Sequence, residues 1–231
     1  MKRSAINQIM RESADVLQRM HFFLPPFAWW TPEDWTKRGP ECREIAVNQL
    51  GWDITDFGRG DFPRLGLFLF TIRNGALAEL AKPGGKIYAE KILIVQPGQL
   101  TPTHFHYKKT EDIINRGGGV LELACWNATA DEGLADTPVV IRCDGVERTL
   151  APGSVFALQP GESVCLPAGL YHQFRGRMGA GTVLVGEVSR VNDDRVDNRF
   201  HEPIGRFPKI DEDEAPLHLL TEDYPGYYRY A

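Results

Sequence analysis

Apolar and polar positions along the chain follow two different periods. Near the start, Ile6, Ile9, Met10, Val16, Leu17 and Met20 fall close to a 3.6-residue stripe with Arg and Glu on the other side, which predicts an amphipathic helix. The prolines of "FFLPPFAWW" stop that helix, and Thr31-Pro32-Glu33-Asp34 has the form of a second, short helix start. From about residue 61 to 190 the texture changes to short apolar or alternating runs cut by Gly, Pro, Asn and Asp. "RLGLFLFTI" ends at Asn74-Gly75 and "KIYAEKILIV" at Pro97-Gly98, while "VVIRC" and "VERTL" meet through Asp144-Gly145, a two-residue hairpin signal. Many short strands at this spacing, with no helical pattern between them, predict an all-β antiparallel sandwich or barrel. The expected organisation is a single domain: a helical and aromatic extension over 1–60, a barrel over 61–190, and a polar, loop-rich C-terminal extension over 191–231.

Composition narrows the partners. The net charge of -5, with no clustered Lys/Arg, leaves no electrostatic footprint for nucleic acid and points to a small molecule. No apolar run approaches the roughly 20 residues that span a bilayer. "MKRSAINQIMRESADVLQRMHFF" also lacks the uninterrupted apolar core of a secretory signal, so the expected location is the cytoplasm. Cys42, Cys125, Cys143 and Cys165 are widely spaced without a C-x-x-C, and are expected to be free thiols.

The candidate chemistry begins at Thr103-His104-Phe105-His106. On a strand, residues i and i+2 share a face about 7 Å apart, so both imidazoles can converge on one ion, and Glu111 follows closely enough to bend back with an oxygen. "NRGGG" at 115–119 is not followed by a helix pattern or a Gly-Lys-Ser/Thr, and reads as a turn instead of a phosphate loop.

Wider spacing carries a resemblance. Gly98, five residues, His104, one residue, His106, four residues, Glu111, six residues, Gly118 is followed later by Gly161, five residues, Pro167, one residue, Gly169, two residues, His172. This pair is similar to the two motifs of the cupin superfamily, departing only at Gly176, where the second motif usually ends in Asn. The resemblance implies a small jelly-roll-like β-barrel in which His104, His106, Glu111 and His172 hold one metal ion. Three imidazoles and a carboxylate suit several divalent ions, Co²⁺, Fe²⁺, Ni²⁺ and Zn²⁺ among them. "THFHYKKTEDIINRGGG", "LPAGLYHQF", "GEVSRVNDDRVDNRF" and "IGRFPKIDEDE" together resemble the D-lyxose ketol-isomerase family of cupins, from the helical arm to about residue 214. That resemblance implies a Mn²⁺-dependent homodimer that converts D-lyxose to D-xylulose, and D-mannose to D-fructose, through an enediol.

An enediol route between aldose and ketose moves a proton between C1 and C2, which a carboxylate within reach of both carbons would carry. Glu187, which interrupts the apolar "TVLVGEVS", and Glu202, in the loop that follows, are the carboxylate candidates, and Lys91 joins them in the expected catalytic set. Lys91 sits among apolar residues in "YAEKILIV", where a buried charge needs a partner or a ligand, and it could equally point outward. Lys109, Asp194 and Arg206 complete the expected substrate-binding set, with Lys109 on either side of the barrel wall. An iron-dependent cupin dioxygenase, or a non-enzymatic sugar-binding cupin, could use the same ligand set, and both stay open at this level.

Overall fold

The structure, a computed structural model, describes residues 1–231. Helix α1 (Arg3–Arg19) forms where the stripe predicts, burying Ile6, Met10, Val16 and Leu17. Two short helices follow, α2 (Pro32–Thr36) and α3 (Arg43–Val47), and α4 (Tyr224–Tyr227) lies near the C-terminal end. Thr31 caps α2: its Oγ1 accepts the Asp34 backbone N–H at 3.1 Å while the Asp34 carboxylate accepts the Thr31 N–H at 2.9 Å. No helix is long and apolar enough to cross a membrane.

The β-structure is all antiparallel in its strand pairs and falls into two sheets. The larger runs, in spatial order, β1 (Gly51–Thr55), β2 (Leu67–Arg73), β3 (Tyr88–Val95), β12 (Val183–Arg190), β5 (Glu111–Gly118), β10 (Ser163–Leu166), β7 (Val139–Cys143), β8 (Val146–Leu150). The smaller runs β13 (Asn198–Phe200), β4 (Leu100–His106), β11 (Leu170–Gly176), β6 (Leu121–Asn127), β9 (Val155–Leu158). Their facing sides enclose a core that draws Leu69, Leu93 and Val185 from the larger sheet and Leu123, Leu170 and Phe174 from the smaller. A second core lies on the outside of the larger sheet, where Phe68, Phe70, Ile92, Ile94 and Leu184 meet α1. Burying one such side chain contributes roughly 1.5–3 kcal/mol.

The turns explain how the sheets connect. Asp144 and Gly145, with φ of 50° and 81°, make the two-residue hairpin between β7 and β8. The sheets extend past the limits that the texture suggests: β1 begins ten residues before position 61, and β13 lies beyond 190. Both are short and show too few alternations to stand out beside an aromatic stretch and a polar one. "NRGGG" is mostly strand instead of turn, because β5 runs on to Gly118. Asn115 pairs with Val185 and Gly117 with Leu184, so Arg116 is the extra residue of a bulge. Gly118, at φ 88°, lies where an added Cβ would come within 2.1 Å of the Thr182 carbonyl oxygen. All four cysteines are free thiols, as expected.

Candidate active site

Strand register places the site. In the smaller sheet His104 on β4 lies directly opposite His172 on β11, and His106 shares the face of His104 two residues on. In the larger sheet Lys91 on β3 lies directly opposite Glu187 on β12, which is flanked by β5 carrying Glu111. Lys109 comes from the turn between β4 and β5, and Asp194 and Arg206 from the segments on either side of β13. All of these side chains line one cavity between the sheets.

The three imidazoles form a tight cluster, with ring centroids 4.3 Å apart for His104 and His172, 5.0 Å for His104 and His106, and 5.7 Å for His106 and His172. Burial, reinforced by the neighbouring imidazoles, holds His104 well below the usual histidine range. Burial and then the Lys109 ammonium push His106 down as well. His104 Nδ1 donates to the Pro102 carbonyl at 2.7 Å and His172 Nδ1 to the Leu170 carbonyl at 3.0 Å, which turns each Nε2 away from those carbonyls. His172 Nε2, held this way, faces Glu111 Oε1 only 3.1 Å off and has no hydrogen-bond partner. A ring nitrogen and a carboxylate oxygen that close can both bind one cation. Ligands about 2.1 Å from one ion at right angles stand roughly 3 Å apart, which is the spacing found here. The donor set therefore fits a divalent ion, and the three histidines form a group that could hold one.

Glu111 joins this cluster to a chain of buried charges. Its Oε1 faces His106 Nε2 at 3.4 Å, while Oε2 lies 2.7 Å from Lys109 Nζ. Burial by itself would raise the Glu111 carboxyl, but Lys109, with the histidines behind it, holds it well below the usual range. Lys109 Nζ also donates to Glu187 Oε1 at 2.8 Å, and its own ammonium is raised above the usual lysine value because Glu111, Glu187 and Asp194 outweigh burial. Lys91 Nζ sits 3.3 Å from the same Glu187 oxygen and 3.0 Å from Asp194 Oδ2. Burial opposes the Asp194 charge, yet Lys91, Lys109 and Arg206 keep its carboxyl far below the ordinary range. Ser189 Oγ donates to Glu187 Oε1 at 3.0 Å. All the donors thus converge on Oε1, and Oε2 accepts none, in a side chain that lines the cavity.

The structure brings together nine of the ten side chains singled out from the sequence: His104, His106, Glu111, His172, Lys91, Lys109, Glu187, Asp194 and Arg206. Lys91 and Lys109 both face inward, each 2 % exposed. Glu202 does not join them. It is exposed and lines a separate surface pocket with Arg59, Thr103 and Gln173, because His201 after β13 pairs its backbone N–H with Thr103 on the outer edge. Asp53, which grips Arg206 from β1, escaped the sequence reading, as did Ser189 and Phe200. The alternation of Trp52, Asp53 and Ile54 was the available signal for Asp53.

Two facing antiparallel sheets around a His-x-His, Glu and His constellation define a cupin-type barrel, and the chain is of that class. A family model described as D-lyxose isomerase matches residues 1–224, and the chain belongs to that family. A D-lyxose/D-mannose isomerase of Serratia proteamaculans is 50 % identical over 226 residues, covering 97 % of this chain and 98 % of the relative. The D-lyxose/D-mannose isomerase of Escherichia coli O157:H7 is 47 % identical over 225 residues, with the same coverage. Among solved structures, the ligand-free L-ribose isomerase of Cellulomonas parahominis shares the fold at a TM-score of 0.59 and 17 % identity, over 91 % of this chain and 98 % of its own. The L-ribose isomerase of Acinetobacter sp. DL28 in complex with L-ribose likewise gives 0.59 and 17 %, over the same shares.

Proposed function

We propose that this chain interconverts D-lyxose and D-xylulose, and D-mannose and D-fructose, with one divalent ion held by His104, His106, Glu111 and His172. The observation that carries this reading is the meeting, in one cavity, of that ligand set with Glu187, whose Oε2 is open and whose Oε1 is held by Lys109 and Ser189. The family supports the choice of sugars. Its resemblance supports manganese as the ion, a homodimer as the assembly and the cytoplasm as the location. The bound ion supplies Lewis acidity, polarising the substrate carbonyl and offsetting negative charge on its oxygen.

The protein's own groups do the rest. Glu187 Oε2 takes the proton from C2 of the aldose and returns it to C1, while the O2 hydroxyl proton passes to O1 through the enediol, and the two transfers together exchange the carbonyl between the two carbons. Lys109 bridges Glu187 and Glu111, so the proton carrier and the ion's carboxylate ligand move as one unit. Lys91 and Asp194 brace Glu187 from the other side, fixing where its free oxygen points. Arg206, from its loop, is placed to hold the sugar hydroxyls away from the reacting carbons.

The test is turnover of D-lyxose in deuterated buffer, followed by NMR. The parent enzyme should place solvent deuterium in D-xylulose without oxygen uptake, and oxygen consumption without isomerisation would refute the assignment. Glu187→Gln should keep its metal and lose about 10²–10⁴-fold in kcat, as expected for removal of a general base. Glu202→Gln should turn over at the parent rate, since Glu202 is exposed outside the cavity.

A further inference from the structure

The residues that touch the cavity come mostly from strands, whose position is fixed by two sheets. Arg206 does not. It belongs to the stretch 201–210, which has no helix or strand, and its side chain is nonetheless only 9 % exposed. A buried guanidinium needs a partner, and Arg206 has one in Asp53, 153 residues earlier: Nη2 donates to Oδ2 at 2.5 Å and Nη1 to Oδ1 at 3.1 Å. This is the two-pronged geometry in which a planar guanidinium matches a carboxylate and is held in orientation as well as position. The Phe207 ring supports the other side, 4.9 Å from the guanidinium carbon.

Asp53 itself has little freedom. It sits mid-strand on β1, opposite Leu69 on β2, on the face that turns toward the cavity. Its neighbours Trp52 and Ile54 project to the other side, into the core beneath α1. Trp52 is pinned there, its Nε1 donating to the Ala28 carbonyl at 2.7 Å and its ring packed edge-on against Phe68 and Phe70. A slip of β1 by one residue would drive Asp53 into that apolar layer, so its register is strongly fixed.

We propose that Asp53 is a positioning residue for substrate recognition: it never meets the sugar, but holds the Arg206 guanidinium over the cavity as a preformed clamp for the sugar's hydroxyls. Of the other carboxylates that raise Arg206 electrostatically, Asp194 is taken by Lys91 at 3.0 Å and Glu187 by Lys109 at 2.8 Å, which leaves Asp53 as the residue that orients the fork. The inference rests on the sugar-isomerase reading, and predicts that the clamp acts on substrate binding and leaves the chemical step almost unchanged.

The experiment compares the metal-loaded parent with Asp53→Asn, Asp53→Glu, Arg206→Gln and the Asp53→Asn/Arg206→Gln double variant, recording kcat, KM for D-lyxose and metal content. Asp53→Asn and Arg206→Gln should each raise KM about tenfold, the equivalent of one good polar contact, with kcat and metal content close to the parent's. Asp53→Glu, which restores the charge, should recover part of the loss. The double variant should match Arg206→Gln alone, because Asp53 acts only through Arg206. A merely structural role would lower the active fraction, and so kcat, at unchanged KM. A parent-like KM in Asp53→Asn, or a double variant whose KM is the product of the two single effects, would overturn the proposal. If Asp53→Asn does not fold, the double variant still decides, since it leaves no buried cation unpaired. A parent that fails to isomerise any aldose would instead sink the isomerase reading itself.

Discussion

The two faces of the larger sheet present opposite solutions to burial. On β3, Lys91 and Ile92 are consecutive, 2 % and 1 % exposed; on β1, Asp53 and Ile54 are consecutive, 7 % and 3 % exposed. One residue of each pair turns toward the charged cavity and the other enters the apolar layer under α1. The outer face is held by area and close packing, which any side chains of suitable size and shape supply. The inner face is held by specific partners, and each charge there is stable only because another lies about 3 Å away. Stability should therefore depend mainly on the first face, and activity on the second.

The largest expected effect breaks the inner face alone. His106→Ala or Glu111→Ala should reduce metal affinity by more than about a hundredfold, a loss that changes to the groups behind the ligands can already approach, and turnover should fall with it. Elemental analysis after dialysis, alongside the NMR assay, checks both, and a fully loaded, normally active variant would contradict the assigned ligands. Next comes the outer face: Phe70→Ala should cost about 3–5 kcal/mol of unfolding free energy in a denaturant titration, with kcat per folded molecule unchanged. A third variant makes the inner face resemble the outer one. Lys91→Met/Asp194→Leu should lose activity, yet its stability should match or exceed the parent's by up to about 4 kcal/mol, since a buried ion pair is often replaceable by apolar side chains. A large drop in melting temperature would show that the charges there also hold the fold.

The smallest effect lies at the edge of the outer layer. The hydrogen bond from Arg3 lowers the Glu212 carboxyl below its usual value. A depressed carboxylate contributes stability above its unfolded value of about 4.3, and that contribution is lost as pH falls through the folded value. Arg3→Gln should flatten this part of the pH-stability curve below about pH 4.5, a slight change because Glu212 is largely exposed.

The same contrast explains what could be read from the sequence. The histidine cluster was legible because its spacing follows from strand geometry: His104 and His106 share a face by alternation, and glycines mark the turns that bring His172 opposite. Lys91 and Glu187 were legible as charges in apolar runs, but not as a cross-strand pair, since register depends on connections between distant segments. Glu202 and Asp194 looked alike as loop carboxylates after β12, and only the path of the chain past β13 separates them, placing one outside and one inside. Asp53 was hidden by its surroundings: a five-residue strand in an aromatic stretch offers two alternations, too few to distinguish it from loop. What fixes Asp53 is Trp52, whose partner Ala28 no local pattern could supply.

Arg3 at the head of α1 also bears on how the molecule is made. Its guanidinium joins Glu212 at 2.8 Å and Asp223 at 2.9 Å, partners 209 and 220 positions further along. At roughly 5–20 residues per second of synthesis, α1 waits about 10–40 s before those carboxylates exist. The apolar stripe can meet Phe68, Phe70, Ile92 and Ile94 well before then, but the charged pairs that lock the head of the helix close over the longest loop in the chain and so form last. Newly made chains should thus carry α1 docked along its apolar side with its first turn still free to fray.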